Sequence, residues 1–440
     1  MKKIILSLFV LFLASNFGLS QSNVIKIEQE TLENGLHVIY NVDKSAPVCA
    51  VILHYKVGSK DENPQRTGFA HFFEHLMFEA TNEIPRSSIG KYINEVGGEL
   101  NAHTSVDETV FENMVPAHQI KLPLWIESSR MRNLQVEKEG VETQRAIVKE
   151  ERSNRLDNQP YGDANEKLYS KLFKGSSYEW QTIGSADHIN KSEVKEFQNF
   201  YNNFYQPNNA TLAISGDIDV DSVKKYVKEY FGSIPKSKEP VRFELPVSDY
   251  TLGEIKEDVI DPKIQLPAVF VAYRAPNKTD NDAYAAELLI DILSSGASSR
   301  LNKKMVEEER IAVQVSMYYD QMEKSGAFVL NALPNQGKKL EDMLEMFDDE
   351  IALLIKKGVT DRELEKAKNL KETESIQQTK NVWSKASMLA SYHTYYGDAQ
   401  LINNEIKKYL AVTKADIKKA AEKYFGKKNR VVLYYYQHQK

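Results

Sequence analysis

The sequence predicts an α+β chain built as two similar halves in tandem. Three observations carry that expectation. Strand-like and helical patterns are mixed along the whole length. A polar stretch with two prolines, GSIPKSKEP at 232–240, interrupts the chain near its middle. The same plan recurs on either side of it. Residues 193–216 (EVKEFQNFYNNFYQPNNATLAISG) read as a helix ending in Tyr/Phe, an Asn-containing loop and a strand, and 416–436 (DIKKAAEKYFGKKNRVVLYYY) repeat this with a shorter loop. The reading places a first domain at 24–233, a linker at 234–247 and a second domain at 248–440.

Asn34-Gly35 is a hairpin signal, and strands are expected at 36–41 and 48–57. A helix is expected over 67–80. A second helical pattern at 87–96 stops at Gly97-Gly98; 99–104 is then extended and 110–115 is a further strand. Residues 117–132, 136–156 and 194–204 read as helices, and 210–216 as a strand. Beyond the linker, 266–273 is a strand, and a helix at 282–293 ends at Ser294-Ser295-Gly296. Residues 311–319 and 327–333 pair as a hairpin. Thr360 and Glu363 form a capping box that opens another helix.

The composition is that of a globular protein, with 42% apolar, 27% charged and 10% aromatic residues in 440. A net charge of −5 without a basic block excludes nucleic acid as an expected partner. Cys49 is the one cysteine, so no intrachain disulfide and no Cys-rich zinc site can form. Any metal falls to His, Asp or Glu. Residues 1–20 (MKKIILSLFVLFLASNFGLS) have the form of an export signal: Lys2 and Lys3, a short apolar run, then Gly18 and Ser20 before a cleavage point at Gln21. A periplasmic or secreted location follows, with no lipid anchor and no integral membrane segment.

The chemistry concentrates in GFAHFFEHLMF at 68–78. His71 and His75 are i and i+4, so both rings leave one face of a helix a turn apart. Two imidazoles so placed can reach one ion. Glu74 flanks the same face and can reach a metal-bound water without being a ligand. The surrounding residues are almost all apolar, so the helix is buried, and polar groups there need partners. With nine histidines in the chain, a chance H-x-x-E-H is a roughly one-in-a-hundred event.

H-F-F-E-H, in that order, resembles the inverted zinc motif of the pitrilysin–insulinase peptidases, the family that includes the mitochondrial processing peptidases. Residues 97–105 (GGELNAHTS), 157–162 (DNQPYG) and 207–216 (PNNATLAISG) are similar to further segments of that family, and 293–301 (LSSGASSRL) extends the likeness into the second half. The resemblance implies two homologous α/β-sandwich domains with mixed, mainly antiparallel sheets covered by helices, together half of a clamshell. It implies one zinc ion per chain, held by His71, His75 and a Glu some seventy-five residues further on. TQRAIVKEER at 143–152 offers Glu150 or Glu151; ungapped counting selects Glu151, and its spacing from Ile147 and Val148 puts it beside an inward apolar stripe. The family's frequent second Glu falls on Gln144.

The same resemblance gives Glu74 the role of general base. It makes Asn101 and Ala102 part of an edge strand that pairs with an extended peptide substrate. It also exposes a gap: the family's carbonyl-binding Arg and Tyr fall on Val306 and Val313, neither of which donates a hydrogen bond. Arg310, Tyr318 and Tyr319 lie nearby out of register, and strand alternation places Tyr319 on the face of Val313. The implied function is a zinc endopeptidase completed by a companion subunit of similar fold carrying the Arg/Tyr pair, or by a second copy. A non-catalytic scaffold or a peptide-binding subunit is the alternative.

Overall fold

The computed structural model describes residues 24–243, 245–247 and 252–438. The leader expected at 1–20 lies outside them. Six strands form the first sheet: β1 Ile27–Thr31, β2 His37–Val42, β3 Val48–Tyr55, β4 Glu99–Thr104, β5 Thr109–Pro116 and β6 Ala210–Gly216. Five form the second: β7 Gly253–Ile260, β8 Ala268–Ala275, β9 Ala312–Gln321, β10 Gly326–Pro334 and β11 Asn429–Tyr436.

The sheet orders are β1-β2-β6-β3-β5-β4 and β7-β11-β8-β10-β9. Each contains one parallel pair, β2 with β6 and β7 with β11, and is otherwise antiparallel. The second sheet therefore repeats the first from β2 onward, with β9 in the place of β4. This is the α+β, two-sheet plan expected from the sequence, and the repeated helix-then-strand segments end in the equivalent central strands β6 and β11.

Burial explains the order. β6 is buried at all seven positions, as a strand covered on both faces must be. β4 alternates exposed and half-buried residues and pairs only with β5, so it forms an edge. On one face of the first sheet, Val51 and Leu53 pack with the aromatic residues of the helix Phe69–Leu76. On the other, Ile39, Ile52 and Ala213 pack with Ala386, Leu389 and Ala390 of the helix Val382–Tyr396.

That last helix belongs to the second half of the chain. The exchange is reciprocal: Leu168 and Leu172 of the helix Ala164–Leu172 pack against Ala272, Val431 and Leu433 of the second sheet. Neither helix was expected from the sequence, because each is specified by a distant sheet face. A buried charge cluster reinforces the joint. Lys60 lies 3.2 Å from Asp107 and 3.1 Å from Glu323 across the two halves. The connection between them is also tied down, since Asn203 bonds both the N–H and the carbonyl of Val241.

The helix expected over 67–80 is shorter, Phe69–Leu76. It starts at Gly68, whose φ of +96° an L side chain rarely adopts. The helix expected over 136–156 runs Lys138–Arg152 and then widens into a π-helical turn, Ser153–Asp157.

Candidate metal centre

The helix Phe69–Leu76 is oriented by its aromatic spacers. Phe69 and Phe72 stack on Phe197 with ring centroids 4.5 and 4.4 Å apart, and Phe73 stacks on Phe200 at 5.4 Å. These contacts hold one side of the helix against the helix Val194–Phe204. The polar positions are left on the opposite side. The N-terminus is fixed by the buried carboxylate of Glu62, which accepts hydrogen bonds from the Gly68 and Ala70 N–H groups, each at 2.8 Å. A Cβ at Gly68 would lie 2.8 Å from the Ile183 carbonyl, so the chain also needs glycine there for space.

His71 is 8% exposed and His75 is half-buried. Their rings meet edge-on, with centroids 4.9 Å apart. Glu151 reaches them from the last turn of the helix Lys138–Arg152. Its Oε2 lies 3.5 Å from His71 Nε2 and 3.1 Å from His75 Nε2, and one ligand atom from each residue lies within 4.8 Å of the others. Arg155, one turn later, holds the other oxygen, Oε1, at 2.7 Å. Among the described residues this is the one His/Glu group of such geometry.

The donor set fits a zinc ion. Two ligands of a tetrahedral ion with bonds of about 2.1 Å stand about 3.4 Å apart, close to the 3.5 and 3.1 Å between Glu151 Oε2 and the two imidazoles. Glu151 Oε2, which faces both imidazoles, is buried without a hydrogen-bond partner, although buried polar atoms ordinarily find one. The neighbouring His71 imidazole draws the Glu151 carboxyl down to about 2. Burial, then the neighbouring His71, lowers the His75 imidazole and favours its neutral, metal-binding form.

Glu150, the other glutamate offered by the sequence, is exposed and accepts a hydrogen bond from Asn154 at 3.0 Å. The stripe expected to pass through Ile147 and Val148 passes through Val148 alone. Val148 is 1% exposed and Ile147 45%. Gln144 donates to Glu79 at 2.7 Å, within an ion pair to Arg86, and belongs to that neighbouring cluster.

Glu74 is half-buried beside the histidines and accepts a hydrogen bond from the Thr104 hydroxyl at 2.7 Å. Thr104 ends β4, the edge strand that carries Asn101 and Ala102. Asn101 is exposed opposite Glu112; Ala102 is half-buried opposite Phe111 and packs against the core. Thr104 and Arg155 were not singled out in the sequence. Thr104 sits inside the segment GGELNAHTS, and Arg155 stands at i+4 from Glu151, so spacing alone could have suggested Arg155.

Among the described residues, the second half brings no counterpart to the His71, His75 and Glu151 group. Val313 is 50% exposed, while the half-buried Tyr319 donates to the Pro276 carbonyl at 2.7 Å. The expectation that these two share a face fails. A register shift in the β9–β10 pairing, between Leu333 and Pro334, breaks the alternation at the start of β9. Tyr318 bonds Asn165 at 3.2 Å.

This two-sheet fold, with His71, His75 and Glu151 brought together, is the pattern that one family of peptidases shares. Residues 37–186 match the family described as Insulinase (Peptidase family M16), and residues 192–371 match the Peptidase M16 inactive domain. The chain belongs to the M16, or insulinase, family. Zinc protease PqqE of Helicobacter pylori is 28% identical to it over 416 residues, 92% of each chain. An uncharacterized zinc protease of Streptomyces coelicolor is 23% identical over 410 residues, 91% of this chain and 88% of that one.

Among solved structures, a protease from Helicobacter pylori superimposes with a TM-score of 0.88 at 26% identity, covering 94% of this chain and 99% of that one. The first half of the periplasmic protease PqqL from Escherichia coli shares the fold at 18% identity, with a TM-score of 0.76 and coverage of 94% and 92%. The chain spans 48% of full-length PqqL. No helix among the described residues is long and apolar enough to cross a membrane.

Proposed function

We propose that this chain is the metal-bearing subunit of a zinc-dependent endopeptidase that cleaves extended or unfolded peptides. The observation that carries the reading is the convergence of His71, His75 and Glu151, with Glu74 beside them and the edge strand β4 alongside. His71, His75 and Glu151 would hold one zinc ion and leave a fourth position open. Bound there, zinc would polarise a carbonyl and make a water more acidic.

Glu74 takes the proton of the attacking water and returns one to the leaving amine. With Oε2 engaged by Thr104, Oε1 is the oxygen that accepts it. Glu151 keeps its carboxylate charged, and Arg155 orients it. Asn101 and Ala102 lie on the strand to which an extended backbone would add.

Val306 and Val313 stand where a carbonyl-binding Arg and Tyr are expected, and Tyr319 is committed to Pro276. A companion of similar fold therefore completes the site, and a second copy is the other possible occupant. The occurrence of this fold as one half of a longer chain, PqqL, agrees with such pairing. The same gap favours a second reading, a metal-binding peptide receptor without turnover. The leader pattern places the protein in the periplasm or outside the cell.

The decisive experiment quantifies zinc and peptide cleavage in one preparation of the mature chain, alone and with its companion, before and after chelation. About one zinc per chain, with cleavage lost on chelation and restored by zinc, is expected. Zinc without cleavage in every mixture leaves the receptor; no zinc leaves a scaffold.

A further inference from the structure

We infer that Thr104 is a positioning residue for the Glu74 carboxylate and ties the base to the strand that receives the peptide. The inference rests on the peptidase reading and deepens it. Among the described residues, the bond from Thr104 Oγ1 to Glu74 Oε2, at 2.7 Å, is the one hydrogen bond that the Glu74 side chain makes. Glu74 would otherwise have the rotamer freedom of a half-buried glutamate.

The donor is itself held. Threonine branches at Cβ, so its χ1 is restricted. Along β4 the half-buried positions are Leu100, Ala102 and Thr104, and strand alternation sets the Thr104 side chain on their face. Thr104 pairs with Thr109 at the closed end of the β4–β5 hairpin. The Thr109 hydroxyl bonds the Val57 carbonyl at 2.9 Å. The loop beyond is tied by Ser105, whose N–H reaches the Glu108 carbonyl at 2.8 Å and whose carbonyl accepts the Ser59 N–H at 3.2 Å. Asp107 in that loop is buried against Lys60 and Tyr178.

A hydroxyl fixed in this way occupies one carboxylate oxygen and aims the other. Asn101 and Ala102 lie three and two residues earlier on the same strand, so Thr104 is within about 10 Å of both along the chain. A backbone added to β4 and the base that acts on it are thus referred to one rigid element. A misplacement of about 1 Å in such a group can cost about a hundredfold in rate.

The test compares Thr104→Val, which keeps the shape and loses the hydroxyl, with Thr104→Ser, which keeps the hydroxyl. Both are made in the full mature chain, together with any companion that the wild type requires. Turnover is read with a quenched fluorescent peptide, and bound zinc is measured alongside. For Thr104→Val we expect kcat to fall about ten- to a hundredfold, with KM within about twofold and zinc content unchanged. Thr104→Ser restores most of the turnover. A crystal structure of metal-free Thr104→Val should show the Glu74 carboxylate in a different rotamer.

Wild-type kcat in Thr104→Val overturns the role of Thr104 alone. So does a loss confined to KM or to zinc content, or an unmoved Glu74 carboxylate in the crystal. A wild-type chain that binds zinc and cleaves nothing in any mixture overturns the peptidase reading, and the role of Thr104 with it.

Discussion

At the scale of single residues, three variants separate the proposed roles. Among the described residues, Glu74 hydrogen-bonds to neither imidazole and is aimed by Thr104. Glu74→Gln should therefore keep about one zinc per chain and lose hydrolysis by about a hundred- to ten-thousandfold. Metal analysis and peptide turnover on the same sample check both halves of that outcome. Glu150 and Glu151 are neighbours with opposite surroundings: one faces solvent, the other two imidazoles. Glu151→Gln is expected to abolish stoichiometric zinc binding, while Glu150→Gln leaves it intact. Equal zinc retention in the two variants would remove Glu151 from the donor set.

At the scale of elements, the edge strand β4 is pinned on its outer face by charge. His103 lies 3.6 Å from Glu108 and 3.8 Å from Glu112. The two carboxylates, Glu108 first, raise its imidazole from 6.5 to about 10. A raised folded-state value stabilises the fold wherever the imidazole is charged. That contribution is complete below 6.5 and is lost as the pH rises toward 10. His54, buried beneath the same Glu108, has the opposite sign. Burial lowers it to about 4, so stability is lost as the pH falls from 6.5 toward 4. A melting temperature that peaks near neutrality is expected. In His103→Asn the alkaline decline should flatten while the acid limb stays, which thermal melts across pH 5–10 would read.

At the scale of the whole molecule, the two halves are joined by more than the 234–247 connection. Each sheet is covered on one face by a helix from the other half. A chain ending at the linker would leave Ile39, Ile52 and Ala213 without Ala386, Leu389 and Ala390. An open apolar sheet face of that kind is an association hazard. The first half expressed alone is therefore expected to aggregate, and the two halves coexpressed as separate chains to copurify. A monodisperse, zinc-binding first half would contradict the view that the exchanged helix is needed.

The sequence by itself determined what depends on local periodicity. His71 and His75 share a face because they are four residues apart on one helix, and no neighbour had to be known. The strand expectations at 48–57, 99–104 and 210–216 correspond to β3, β4 and β6, because burial on two faces or one leaves a continuous or alternating pattern. The doubled plan was legible because both halves keep the same order of helix and strand. Tertiary structure alone decided the rest. It set which glutamate meets the histidines, since Glu151 faces both imidazoles while Ile147, expected inward, is exposed. It turned Val313 away from the face of Tyr319 through a bulge that no alternation rule foresees, and it committed Tyr319 to Pro276. It brought Thr104 to Glu74 and crossed two helices between the halves. The reason is common to these cases. A residue's face within its own element follows from backbone geometry, whereas its partner across elements follows from how distant surfaces pack.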